Sequence, residues 1–102
     1  MPGIIERNRD RIEHLCNDFG VNRLHVFGSA GRDDFKLGES DLDLLVEFEP
    51  MAPYDRVDAY FGLLEALRAL FGMEVDLVME GAVKNPYIAR DIERTKQVLY
   101  AA

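Results

Sequence analysis

The segment DLDLLVEF, residues 41–48, constrains the fold of this chain more than any other stretch. Polar and apolar residues alternate along it, which is the pattern of a β-strand that places one face against a core. The apolar face carries Leu42, Leu44, Val46 and Phe48. The other face carries Asp41, Asp43, Leu45 and Glu47. A strand of this kind needs neighbouring strands and a covering layer, so the flanking segments decide the fold class.

Helical and extended segments alternate on both sides of this strand. Apolar residues at helical spacing predict a first helix ending at Gly20, a second over residues 57–71 closed by Gly72, and a last helix with Asn85 as its cap and Pro86 in its first turn. VNRLHVF (21–27) and MEVDLVM (73–79) predict two more strands, and VLY (98–100) a short final one. This order predicts an α/β (α+β) fold, a small mixed β-sheet covered by helices.

Length and charge limit the organisation and the partners. A chain of 102 residues is expected to form one domain, over residues 1–102. The formal net charge of −7 disfavours non-specific nucleic-acid binding, because an acidic surface repels phosphate backbones. It leaves room for a basic protein partner and for a nucleotide whose charge is masked by a divalent metal.

Targeting and cysteine signals are sparse. The charged start MPGIIERNRDRIEH lacks the apolar segment of a signal peptide, and no apolar run is long enough to span a bilayer. We therefore expect a cytoplasmic protein with no membrane partner. Cys16 is the only cysteine, which excludes an intramolecular disulfide and a Cys-rich zinc site.

Two carboxylates share one face of the predicted strand. Asp41 and Asp43 are two residues apart, so their side chains converge, and like charges about 4 Å apart repel by roughly 1 kcal/mol in water and roughly 4 kcal/mol at an effective dielectric of 20. A divalent cation such as Mg²⁺ would relieve this repulsion, and two such ions can clamp a displacement at phosphorus. Asp76, in EVDLV, could add a third carboxylate if its strand lies alongside.

Gly28-Ser29 follows the first strand directly. Glycine permits a tight turn, serine can cap the short helix that follows, and amides at a helix N-terminus together with the hydroxyl can bind phosphate. Arg32, one turn later, could reach the same phosphates. Each signal alone has an ordinary explanation: a solvated D-x-D, a plain turn, a surface arginine. Their combination favours metal-assisted phosphate chemistry.

Three motifs, VFGSAGR, SDLDLLVEF and EVDLV, together resemble the minimal nucleotidyltransferases of the DNA polymerase beta superfamily. Members of that family read roughly F-G-S-x-A-R-G, S-D-[IL]-D-L-L-V-E-F and V-D-L-V. The resemblance covers nearly the whole chain, including LLEALRALFG and the closing NPYIARDIERTKQVLY. The chain departs from the pattern in two places: eleven residues, 30–40, separate the serine from the first aspartate where ten are usual, and Asp33 replaces a glycine.

The resemblance implies a nucleotidyltransferase fold and a metal-dependent transfer of a nucleoside monophosphate, with release of pyrophosphate. Gly28 and Ser29 match the phosphate-binding turn, with Arg32 beside it. Asp41, Asp43 and Asp76 match the metal-binding carboxylates, and Asp76 is expected to help activate the acceptor hydroxyl. The expected substrate is ATP, and the expected cofactor is Mg²⁺, as one ion or two.

The resemblance also implies a partner. Small members of this family serve as antitoxins in HEPN/MNT toxin–antitoxin pairs, and some transfer AMP to a tyrosine of a helical HEPN-type toxin. We expect the same activity here, and leave a homo- or hetero-oligomer open. Two alternatives remain: an antitoxin that neutralises its toxin by contact alone, and nucleotidyl transfer to a small molecule.

Overall fold

The computed structural model describes residues 2–32 and 34–102. Within these residues, nine elements follow one another. They are α1 (Gly3–Arg7), α2 (Arg9–Asp18), β1 (Val21–Phe27), α3 (Gly28–Gly31), β2 (Leu42–Phe48), α4 (Pro53–Phe71), β3 (Val75–Met79), α5 (Pro86–Thr95) and β4 (Gln97–Ala101). The predicted order is confirmed.

The four strands form one mixed sheet in the order β3-β2-β1-β4. β1 is antiparallel to both β2 and β4, whereas β2 and β3 are parallel. The predicted mixed sheet is therefore confirmed. The parallel pair matters most for function, because parallel neighbours present the starts of both strands at the same edge of the sheet.

One face of the sheet packs against α1, α2 and α4. This main core contains the apolar face of β2 as predicted, together with residues from all three helices: Leu42, Leu44 and Val46 with Ile5, Ile12, Cys16, Leu63 and Leu67. Cys16 is buried and forms no disulfide, and burial, with Glu13 nearby, raises the pKa of its thiol to about 12. The thiol is therefore uncharged at neutral pH.

The opposite face of the sheet packs against α5. Phe27, Leu45 and Ile92 form a second, smaller apolar cluster there. Leu45 is buried although it shares a face with Asp43, because α5 covers this part of the strand. Asp43 thus lies on the face that is only partly covered.

Local signals place most element ends correctly. Gly72 ends α4 in the left-handed conformation, with φ of +64°. Asn85 caps α5: its side-chain Oδ1 accepts from the N–H groups of Tyr87, at 2.8 Å, and Ile88, at 3.4 Å. The second of these is longer and weaker.

Three boundaries differ from the prediction. The first helix is broken at Asn8, whose side chain donates to the Ile4 carbonyl at 2.7 Å and so competes with the helical pattern. α4 begins at Pro53, four residues before the predicted start at residue 57, because proline suits the first turn of a helix. β3 begins at Val75, two residues later than predicted.

No helix among residues 2–32 and 34–102 combines the length and hydropathy needed to cross a membrane.

Candidate active site

Asp43 and Asp76 are brought together by the parallel pair of strands. They are direct register partners in β2 and β3. Register partners point to the same face, and neighbouring strands lie about 4.8 Å apart. Asp41 immediately precedes β2 and is exposed, as is Asp76. The strand carrying Asp76 thus lies alongside the strand carrying Asp43, which is the condition under which Asp76 could add a third carboxylate.

Gly28 packs directly on the Asp43 carboxylate. Phe27, the last residue of β1, is paired with Asp43 in the antiparallel register, which delivers the following turn to this point. Gly28 has φ of +65°, and a Cβ atom at this position would collide with Oδ2 of Asp43. Both the backbone conformation and the close approach therefore require glycine here.

Ser29 does not cap α3, so the prediction of a serine cap is wrong. The helix begins at Gly28, the N-cap position is occupied by the extended residue Phe27, and no side chain caps it. Ser29 lies inside the short helix and is half-buried. Its hydroxyl remains a candidate for phosphate binding. The Gly28 N–H group is occupied within the protein, because it donates to the Thr95 hydroxyl at 3.0 Å.

Asp43 lies in a field of like charges. Burial and then, in order of importance, the charges of Asp76, Asp41 and Asp91 together raise the pKa of its carboxyl from an ordinary value of 3.8 to about 6. Arg32 acts in the opposite direction. Asp41 and Asp76, which the sequence predicts in the same site, thus both act on the charge of Asp43. A cation at this point would favour the ionised form of Asp43.

Arg32 lies at the end of α3 but is already engaged. Its guanidinium contacts Asp34 at 3.2 Å and Asp91 at 3.3 Å, and its side chain is 45% exposed. Asp34 therefore points to Arg32 and solvent. Asp33 lies outside the described residues. A phosphate bound near α3 would have to compete with two carboxylates for Arg32, or share it with them.

α5 contributes two residues to the site that the sequence motifs do not include. Asp91 affects both Arg32 and Asp43, and Thr95, one turn later, binds the Gly28 amide. The two residues are spaced i, i+4, so they share a helix face. The sequence contains that spacing, but the spacing alone does not show that this face of α5 lies against α3.

The donor set fits a hard divalent cation, since oxygen ligands from carboxylates are what Mg²⁺ prefers. Within residues 2–32 and 34–102, however, no trio of aspartate, glutamate, histidine or cysteine side chains already surrounds a common metal position. Asp43 and Asp76 are register partners, whereas Asp41 lies just before β2; both Asp41 and Asp76 are exposed.

Comparison with known proteins gives the family. The Nucleotidyltransferase domain family matches residues 9–99. This chain belongs to that family. The match includes β1, α3, β2 and β3, and so covers every predicted site residue of the enzyme fold.

Relatives and solved structures agree with this assignment. The Protein adenylyltransferase MntA of Thermococcus cleftensis is 40% identical over 88 residues, which cover 86% of this chain and 82% of the relative. A toxin–antitoxin crystal structure with AMP-PNP has a TM-score of 0.69 at 19% identity, over 93% of this chain and 74% of that one. An MNT antitoxin structure in complex with the tri-AMPylated HEPN toxin of Shewanella oneidensis has a TM-score of 0.59 at 19% identity, over 96% and 73%. Because both structures are only 19% identical to this chain, they show that the nucleotidyltransferase fold is shared and nothing more.

Proposed function

We propose that this nucleotidyltransferase transfers AMP from ATP to a hydroxyl, that of a tyrosine, on a helical HEPN-type toxin, and so acts as the antitoxin. The observation that carries the proposal is the contact of Gly28 with the Asp43 carboxylate beside Asp76. It joins a phosphate-binding turn to a carboxylate cluster at one point. The adenylyltransferase relative supports the donor and reaction, and the AMPylated toxin bound to a protein of the same fold supports the acceptor.

Asp41, Asp43 and Asp76 would hold Mg²⁺. Burial, followed by the like charges of Asp76, Asp41 and Asp91, raises the pKa of Asp43, and this supports the role because a bound cation would offset both effects. Bound Mg²⁺ would neutralise charge on the phosphoryl group during transfer. The Ser29 hydroxyl and the turn at Gly28 would bind phosphate oxygens beside the carboxylates.

The transfer is a displacement at the α-phosphorus. The acceptor oxygen forms a new bond to that phosphorus, the bond to the β-phosphate oxygen breaks, and pyrophosphate leaves. The acceptor proton passes to a base, for which Asp76 is the candidate. We expect the reaction to take place in the cytoplasm, where ATP is supplied.

The position of Asp76 suits a protein acceptor. Its strand, β3, is the edge of the sheet, and the Asp76 side chain is exposed, whereas Asp43 lies in an inner strand and is half-buried. A tyrosine carried by a second protein can therefore approach from the β3 edge without crossing the sheet.

The test is label transfer from ATP to the co-expressed toxin in the presence of Mg²⁺. Asp43→Asn should reduce the labelling rate roughly a thousandfold, because a bound metal stabilises the transition state by several kcal/mol. Asp58→Asn, an exposed aspartate on α4, is the matched control and should label at the wild-type rate. Undiminished labelling by the Asp43 variant would refute the assignment.

A growth assay separates catalysis from neutralisation by contact. The double variant Asp41→Asn/Asp43→Asn should still bind the toxin but should fail to rescue cells that express it. Rescue by a double variant that transfers no label would instead establish the contact-only antitoxin.

A further inference from the structure

Both ends of the four-residue helix α3 are bound by the junction between α5 and β4. At the first end, the N–H of Gly28 donates to the Thr95 hydroxyl at 3.0 Å. At the last end, the side-chain amide of Gln97 donates to the Gly31 carbonyl at 2.7 Å. The two ends of the phosphate-binding turn are thus held by residues about 66 positions further along the chain.

Thr95 is buried in this junction. In the part of the chain that the structure describes, it is the one polar side chain classed as buried, at 7% exposure. Its hydroxyl accepts from Gly28 and donates to the Asp91 carbonyl at 2.7 Å, so its donor and an acceptor site are both used. Its backbone carbonyl also lies against Gly31, where a Cβ atom would not fit.

The same turn determines how α3 meets the carboxylates. Gly28 contacts Thr95 on one side and the Asp43 carboxylate on the other. A change at Thr95 that releases the Gly28 amide therefore displaces the turn relative to Asp43. A misplacement of about 1 Å in a catalytic constellation can reduce the rate a hundredfold.

We propose that Thr95 and Gln97 are positioning residues of this enzyme, which hold α3 at the distance from Asp43 that nucleotide phosphates require. The inference rests on the proposed function for the identity of the ligand. Thr95 and Gln97 act through the backbone of Gly28 and Gly31 and need not touch the nucleotide themselves.

The experiment compares Thr95→Val with Thr95→Ser. Valine keeps the shape but removes the hydroxyl, whereas serine keeps the hydroxyl. Thr95→Val should weaken the binding of ATP with Mg²⁺ roughly tenfold to a hundredfold, and Thr95→Ser should bind within a few-fold of wild type. Gln97→Met, which removes the side-chain amide that donates to Gly31, should give a smaller loss and is informative if Thr95→Val fails to fold.

Two further readouts separate positioning from general stability. Hydrogen exchange at the Gly28 amide should be protected in wild type and Thr95→Ser, and at least about tenfold faster in Thr95→Val, because its acceptor is gone. Ile12→Val, in the core on the far face of the sheet, should lower thermal stability without changing nucleotide affinity.

Unchanged Gly28 exchange and unchanged ATP affinity in Thr95→Val would overturn the positioning role. Equal losses in Thr95→Val and Thr95→Ser would overturn it as well, since the hydroxyl would then not be the cause. A wild-type chain that binds ATP in a Thr95-dependent manner but never labels the toxin would support the positioning role and count against the proposed acceptor.

Discussion

At the scale of single residues, the site depends on the half-buried carboxylate of Asp43 and on the glycine at position 28. Asp43 is half-buried and surrounded by the like charges of Asp76, Asp41 and Asp91. Gly28 has no side chain and so leaves room for the Asp43 carboxylate, with which any Cβ atom at this position would collide. Each of these features opposes stability or tolerance to substitution, which is common where a protein is built to bind a charged ligand.

Asp43→Asn should stabilise the protein at neutral pH. The folded-state pKa of Asp43 is raised to about 6 from 3.8, so the neutral carboxyl is favoured on folding. The stability that the neutral Asp43 carboxyl contributes is fully present below about pH 4 and is lost as the pH rises through 6. The melting temperature of the variant should therefore match that of wild type at low pH and lie roughly 4 °C or more above it near pH 8. In a domain of this size, one kcal/mol of unfolding free energy corresponds to a shift of about 4–8 °C.

Thermal melts of both proteins without divalent cations, from about pH 4 to pH 8, check this expectation. Asp58→Asn serves as the control, and should leave the pH profile of wild type unchanged. A gap between Asp43→Asn and wild type that did not vary with pH would contradict the electrostatic cause.

Gly28→Ala and Gly72→Ala form a matched pair. The two glycines have nearly equal φ, +65° and +64°, so alanine should cost about 1–2 kcal/mol of backbone strain at either position. Only Gly28 has the Asp43 carboxylate within reach of the new methyl group, and Gly72 has nothing within 4 Å. Gly28→Ala should therefore lose label transfer, and Gly72→Ala should retain it.

Chemical denaturation and the label-transfer assay together test the pair. If both variants lost similar stability and kept similar activity, the close contact of Gly28 with Asp43 would have no role in the reaction.

At the scale of secondary-structure elements, α5 has the least expected role. Ile92 buries its apolar side against β1 and β2, while Asp91 and Thr95 reach Arg32 and Gly28. The helix therefore serves both as a cover for the second face of the sheet and as a support for α3. Its start is defined by Asn85 and Pro86.

Asn85→Ala should lower the free energy of unfolding by about 1 kcal/mol, because two amides at the start of α5 lose their side-chain acceptor. Asn85→Asp should retain the cap and most of the stability. Denaturant titration measures both values. Equal stability of Asn85→Ala and wild type would show that solvent replaces the cap without loss.

At the scale of the whole molecule, the net charge of −7 should govern encounters with a partner. If the toxin presents a basic surface, long-range attraction accelerates association and salt screens it. The association rate should fall about tenfold or more when the salt concentration is raised from roughly 0.05 M to 0.5 M, while the dissociation rate changes little. Stopped-flow mixing measures both rates, and an association rate independent of salt would exclude electrostatic steering.

The predictions from sequence succeeded where the physical cause is local. Alternation of Leu42, Leu44 and Val46 determines the buried face of β2, because side chains alternate at every residue. The αL conformation at Gly72 and the cap at Asn85 likewise depend on neighbouring residues alone. Ser29 shows where this reasoning fails: a residue suited to capping lies inside the helix, because α3 begins at Gly28, directly after the strand, and Phe27 takes the N-cap position.

The sequence by itself determined the order of the elements, the faces of the strands, and the family to which the chain belongs. Only the tertiary structure decided that Arg32 pairs with Asp91 and that Gly28 donates to Thr95, since these partners are 59 and 67 residues apart. An apolar stripe shows which side of a helix is buried. It does not show the angle at which the helix crosses the sheet or the position at which it lies along the strands. The packing of α5 sets those two quantities, and with them the position of α3 against Asp43.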